Sequence, residues 1–148
     1  MNTKNIGLAT RWKSLTLLAL LSCSSDLSDD AIPYQPFQDI VINLNLPEYN
    51  TLKTTGHQNI KGGVRGIILH RVNATSYRAF ERNCSYQPAN ACATVEIHAS
   101  GLYMTDPCCG SNFDFNGAPM GGAAWRPLQQ YATTLTGSDL RISSDIVQ

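Results

Sequence analysis

Five cysteines carry most of the chemistry open to this 148-residue chain: Cys23, Cys84, Cys92, Cys108 and Cys109. A thiolate can ligate a soft metal ion, attack an electrophile or join a second thiol, and its surroundings choose among these. Cys108 and Cys109 are adjacent and Asp106 lies just before them, but no His stands nearby in sequence to serve Cys109 as a base. A thiol with a thiol neighbour and no base points to disulfide chemistry before nucleophilic catalysis, and the chain is read as no enzyme. The three histidines, His57, His70 and His98, fall in strand-like or turn-flanking segments away from the cysteines. Their ordinary reading is a surface or hydrogen-bonded imidazole and not a metal ligand. Asp29-Asp30 sits in a polar run and belongs to a tether, not to a paired-carboxylate site.

Cys23 is set apart by what precedes it. Lys4, Arg11 and Lys13 form a basic region, Leu15, Leu17, Leu18, Ala19, Leu20 and Leu21 a short apolar core, and Leu20-Leu21-Ser22-Cys23 resembles the bacterial lipobox. The core is too short to span a bilayer as a stable helix. Residues 1–22 therefore read as a signal peptide, Cys23 as the site of lipid attachment, and residues 23–36 as a polar tether, acidic at Asp26, Asp29 and Asp30 and stiffened by Pro33 and Pro36. Each buried methylene of an acyl chain adds about 0.8 kcal/mol, so several chains would hold the protein on a membrane. The expected location is the cell envelope, as an outer-membrane lipoprotein facing the periplasm or the surface. Eleven basic and eleven acidic side chains balance over the whole sequence; cleavage before Cys23 leaves eight against eleven. Such a weakly acidic chain has no electrostatic footprint for nucleic acid. With Cys23 taken by lipid, Cys84, Cys92, Cys108 and Cys109 form an even set in an oxidising compartment, and spacing leaves three connectivities open.

Residues 37–148 must position those four thiols, and they read as one all-β domain. In residues 38–46, Ile40, Ile42, Leu44 and Leu46 alternate with Val41, Asn43 and Asn45, the pattern of a strand with one buried side, which Pro47 stops. Gly62-Gly63 and Gly66 break the chain before the buried run Ile67-Ile68-Leu69. A turn at residues 73–76 leads into a strand at residues 77–82, with Tyr77 and Ala79, or Phe80, facing the core. Residues 83–92 form a first loop, residues 94–98 and 102–105 a hairpin, and residues 106–112 a second loop. Phe113 and Phe115 alternate about Asp114, Asn116-Gly117 turns, Gly121-Gly122 bends, and strands near residues 130–135 and 140–142 close the domain around Thr136-Gly137-Ser138. Trp125 and Tyr131 are expected to cover a sheet. No helix of normal length shows an apolar stripe, so the fold class is a small β-sandwich or barrel.

The second loop and its sequel read Asp106-Pro107-Cys108-Cys109-Gly110-Ser111-Asn112-Phe113-Asp114-Phe115-Asn116-Gly117, then Gly121-Gly122-Ala123-Ala124-Trp125-Arg126-Pro127-Leu128 and Tyr131. This resembles the second cluster-binding loop of Rieske [2Fe–2S] proteins, C-P-x-H-G-S-x-F-D-x-x-G followed by G-G-P-A-x-x-P-L-x-x-Y. Cys84-Ser85-Tyr86 stands where the family has C-x-H. The likeness is strongest to exported Gram-negative lipoproteins with a Rieske-like domain. It implies a Rieske-like β-sandwich or barrel with two apposed loops at its tip.

A Rieske centre takes two thiolates on one iron and two imidazoles on the other. Carried across, the four ligand positions fall on Cys84, Tyr86, Asp106 and Cys109, and only Cys84 keeps its family ligand. The resemblance therefore implies a degenerate site with no cluster and no metal. High-potential members of the family link the two loops with an accessory disulfide, and its positions fall on Cys92 and Cys108. Cys84 and Cys109, facing each other from opposite loops, are expected to form a second bond, closing a loop of about 26 residues and contributing roughly 3 kcal/mol. On this reading the domain is a binding or structural module, held to a membrane through Cys23, with a protein or small-molecule partner. The alternative is an electron-transfer protein whose [2Fe–2S] cluster is re-ligated by Cys84, Cys109 and Asp106.

Overall fold

The computed structural model describes Met1 and residues 30–148. The expected leader beyond Met1, and Cys23 with it, lie outside the described residues. Two antiparallel sheets make up the domain. The larger runs in the order β1 (Ile40–Asn43), β10 (Asp139–Ile146), β9 (Gln130–Thr136), β4 (Tyr77–Glu81), β3 (Ile67–Arg71) and β2 (His57–Ile60). The smaller runs β5 (Glu96–Ile97), β6 (Met104–Asp106), β7 (Ser111–Phe113) and β8 (Pro119–Gly121).

Side chains of a strand alternate between faces, and β3 and β4 are apolar on both. Ile67, Leu69, Tyr77 and Ala79 join Ile42, Leu52, Tyr131, Leu140 and Ile142 in a first core. Ile68 and Phe80 point the other way and join Cys84, Ala93, Val95, Met104, Phe113, Ala124 and Leu128 in a second. The two-sided burial explains why Ile67-Ile68-Leu69 is an unbroken apolar run, and why both proposed faces of β4 are buried. The edge strands β1 and β2 close on the first core through the half-buried Ile40 and Ile60.

Several expectations are corrected in detail. The first strand ends at Asn43, because the Leu46 N–H turns back to the Asn43 carbonyl (3.1 Å), and Leu46 is exposed. A 3-10 turn at Pro47–Tyr49 and a short helix α1 (Asn50–Thr54) follow, and Leu52 is buried from the helix. Strands β2 and β8 fall where no strand was expected. The second loop is tighter than read, since Asp106 pairs with Ser111 and Thr105 with Asn112 across β6 and β7, leaving residues 107–110 as the connection. Tyr131 is fully buried, but Trp125 is 47% exposed with the Arg126 guanidinium over its ring.

Candidate functional site

The second core ends at the two loops. After β4 the chain crosses Asn83, which bridges to Thr94, and Cys84, whose N–H donates to the Ala93 carbonyl (3.2 Å). Arg65 fastens this first loop from outside. Its guanidinium donates to the Asn83 side chain and to the carbonyls of Asn90 and Ala91, both at 2.6 Å. Sequence reasoning gave Arg65 no role. Its one signal was an Arg among glycines, with no acid nearby in sequence to pair it.

The second loop is built by Asp106. Its backbone carbonyl accepts from Gly110 N–H (2.8 Å), its Oδ1 from Cys108 N–H (2.9 Å), and its Oδ2 lies 3.2 Å from the Cys109 sulfur. Gly110 adopts φ +70° to close the turn. The Ser111 hydroxyl receives the Ala124 N–H (2.9 Å) and lies 3.0 Å from Cys109 Sγ. The bend after β8 presses on the loop at Gly122, where a Cβ would stand 2.4 Å from the Gly110 carbonyl oxygen and 2.5 Å from Ser111 Cα. Both obstacles are backbone and Gly122 has φ +89°. Gly122→Ala is expected to lose about 1–2 kcal/mol through the left-handed backbone alone, and to open the turn, read as faster amide exchange at Gly110.

The loops are tied by a disulfide between Cys92 and Cys108, with Cα atoms 5.6 Å apart. Cys84 and Cys109 also meet, their sulfurs 3.8 Å apart, but both are free thiols, so the second expected bond is not formed. Cys109 Sγ has two oxygen neighbours besides, Asp106 Oδ2 at 3.2 Å and Ser111 Oγ at 3.0 Å. Burial pushes the Cys84 thiol well above its ordinary range. Asp106 and Cys109 add to the rise, and a hydrogen bond from the Tyr86 backbone opposes it. Tyr86 is half-buried and packs its ring on the second core.

The donor atoms of Cys84, Asp106 and Cys109 all lie within 4.8 Å of one another. These residues do not fit a [2Fe–2S] centre. Such a cluster needs two protein ligands on each iron, and three donors converge here. The sulfurs of Cys84 and Cys109, which the resemblance would assign to opposite irons, are in van der Waals contact.

The histidines are elsewhere. His57 and His70 face each other across β2 and β3, and the Phe115 ring stacks on His70 with centroids 4.2 Å apart. His98 stacks on Tyr103 at the same distance. Burial lowers the affinity of His70 for a proton, and the nearby His57 and Arg78 lower it further. A proton that the folded state binds less readily than the unfolded chain makes stability fall as pH drops below the unfolded value of about 6.5. Urea melts between pH 8 and 5 should show this fall in the native chain and a smaller one in His70→Gln.

No protein-family model matches the chain, and no curated protein sequence matches it. Solved structures do. The cyanobacterial plasma membrane Rieske protein PetC3 from Synechocystis PCC 6803 superposes with a TM-score of 0.52 at 23% identity, over 64% of this chain and 92% of that one. The ferredoxin of carbazole 1,9a-dioxygenase from Nocardioides aromaticivorans IC177 gives a TM-score of 0.44 at 18% identity, over 74% and 97%. Two antiparallel sheets with a disulfide-linked pair of loops at one end, and the likeness to the cyanobacterial protein, identify the domain as Rieske-like in fold.

Proposed function

We propose that this chain is an exported, lipid-anchored Rieske-fold module that has given up the [2Fe–2S] cluster and works by binding or by structural display, without catalysis. The observation that carries the reading is the direct contact of the Cys84 and Cys109 sulfurs at 3.8 Å. Two positions that would ligate opposite irons have closed on each other. Tyr86 at a third ligand position packs as an apolar ring on the core. The stapled loops and the exposed Trp125 form the surface offered to a partner. Anchoring is through acylated Cys23, in the outer membrane of the cell envelope.

The full chain isolated from its exporting host should be colourless, with neither iron nor acid-labile sulfide. A brown protein with both in stoichiometric amounts would favour the electron-transfer reading and sink this one. Cys23→Ser should abolish incorporation of radiolabelled palmitate and release the protein from the membrane fraction; undiminished labelling would remove the anchor from the proposal.

A further inference from the structure

We infer that Cys84, Asp106 and Cys109 form a site for a single tetrahedral thiophilic ion, zinc by the chemistry of the donors. The inference rests on the reading that the two-iron cluster is gone and says what the contracted pocket takes instead. Distances come first. A tetrahedral zinc holds thiolates at about 2.3 Å and carboxylate oxygens at about 2.0–2.2 Å, so the donors around one ion lie about 3.8 Å apart for two sulfurs and about 3.6 Å for a sulfur and an oxygen. Here the sulfurs are 3.8 Å apart, and Asp106 Oδ2 is 3.2 Å from Cys109 Sγ. The sulfur–sulfur spacing is that around one ion, the carboxylate oxygen sits closer to Cys109 than a shared ion would hold it, and all three donors lie within 4.8 Å of one another, so a small outward turn of Asp106 would complete the set.

The surroundings of Asp106 point the same way. The residue is completely buried, and no Lys, Arg or His side chain pairs with it among the described residues. Among the described residues the other buried carboxylate, Glu81, shows what satisfaction looks like. It accepts three backbone N–H groups and a Tyr hydroxyl. Asp106 accepts one backbone N–H, and its remaining neighbours are the two thiols, which are weak donors. A buried carboxylate so poorly matched is costly unless a cation joins it. When a divalent ion enters, Cys84 and Cys109 each release a proton, and two thiolates, one carboxylate and the ion leave the pocket with the same net charge as before. Two thiolates with a carboxylate suit zinc rather than magnesium or calcium, which take oxygen ligands.

The surroundings hold the donors in place. Cys108 N–H fixes Asp106 Oδ1, leaving Oδ2 toward the thiols, and Ser111 holds Cys109. The Cys92–Cys108 disulfide and the backbone contact at Gly122 limit how far the loops can part. Cys109 is only half-buried and gives the ion its way in, with the fourth position left to water or to a partner's donor. Such outer contacts are each worth about 10–100-fold in metal affinity.

Cobalt(II) is the probe. The full chain, freed of metal by chelation and kept anaerobic, should bind one equivalent with sulfur-to-cobalt charge-transfer absorption and the strong visible bands of a tetrahedral ion, and zinc should displace it. Cys109→Ser, at a half-buried position, should keep the fold by circular dichroism and lose the charge-transfer band. Asp106→Asn should keep part of that band and bind more than roughly tenfold more weakly. Two titratable thiols with no charge-transfer band would overturn the inference. So would a second disulfide, Cys84–Cys109, found by mass spectrometry in chain isolated with zinc present. Either outcome in colourless protein leaves the loss of the cluster standing, whereas iron with labile sulfide removes the reading beneath both.

Discussion

Glu81→Ala is expected to destabilise the domain by about 3–5 kcal/mol, since three buried backbone donors lose their acceptor at about 1–3 kcal/mol each. Glu81 ends β4 and is wholly buried. Its Oε2 accepts Val64 N–H and the Tyr131 hydroxyl, both at 2.7 Å, and its Oε1 accepts the N–H groups of Arg65 and Asn83, both at 2.9 Å. One carboxylate thus ties the glycine-rich segment before β3 to the end of β4 and to β9. The Tyr hydroxyl's proton is correspondingly hard to remove, through burial first and then Glu81. Truncation strands three backbone donors in the interior, and glutamine cannot replace the carboxylate because its amide nitrogen accepts nothing. Tyr131→Phe, which removes one hydrogen bond to a charged group, should cost only about 1.5–3 kcal/mol. Denaturant melts of Glu81→Ala and Tyr131→Phe check the order. A Glu81→Ala protein as stable as the parent would show that water reaches the stranded amides.

The consequence reaches the thiol site. Val64 and Arg65 are held by Glu81 through their backbones, and the Arg65 side chain holds the first loop at Asn83, Asn90 and Ala91. The position of Cys84 therefore depends on a carboxylate that touches neither loop tip.

None of this network was legible in the sequence, because Glu81 follows Phe80 as any solvent-side residue of a strand would, and nothing local says that glycine-segment amides converge on it. What could be read were features with strong local periodicity. Ile67-Ile68-Leu69 reads as a buried strand from composition alone, and Gly137, with φ +61° between the paired Thr136 and Asp139, reads as a hairpin turn. The strands that escaped lie on edges, where burial imposes little pattern. His57-Gln58-Asn59-Ile60 is mostly polar, and Pro119-Met120-Gly121 has a Pro at its first residue, tolerated where one side of the strand has no partner. At the site, the resemblance placed Cys84, Asp106 and Cys109 together, as the structure does. The bond it implied between the thiols is not formed here, where the two sulfurs touch at 3.8 Å as free thiols and Cys109 also meets Asp106 and Ser111. The exposure of Trp125 depends on the path of the chain between β8 and β9, which no periodicity encodes.

The second large effect belongs to the disulfide. Cys92→Ser with Cys108→Ser is expected to lower stability by about 3 kcal/mol, the loop-closure value for a bridge of this span, 16 residues in sequence. For a domain of this size that is a fall of roughly 10–20 °C in Tm. One further tie runs through the segment after β8, where the Ser85 hydroxyl donates to the Arg126 carbonyl and the Arg126 guanidinium to the Ser85 carbonyl, both at 2.7 Å. The first is also fastened to Arg65 and the second to Gly122 and Ala124, so each would remain folded on its own side while the distance between them became less tightly fixed. The sulfurs of Cys84 and Cys109 sit on opposite sides of that gap. The double variant should therefore lose stability and also weaken cobalt binding, while a variant of Arg65, which loosens only the first loop, should weaken binding with a smaller fall in Tm. Melting curves alongside cobalt titrations separate the cases. An unchanged Tm in the double variant, with Cys92 and Cys108 both open to alkylation in the native chain, would show that the bridge is not formed in solution.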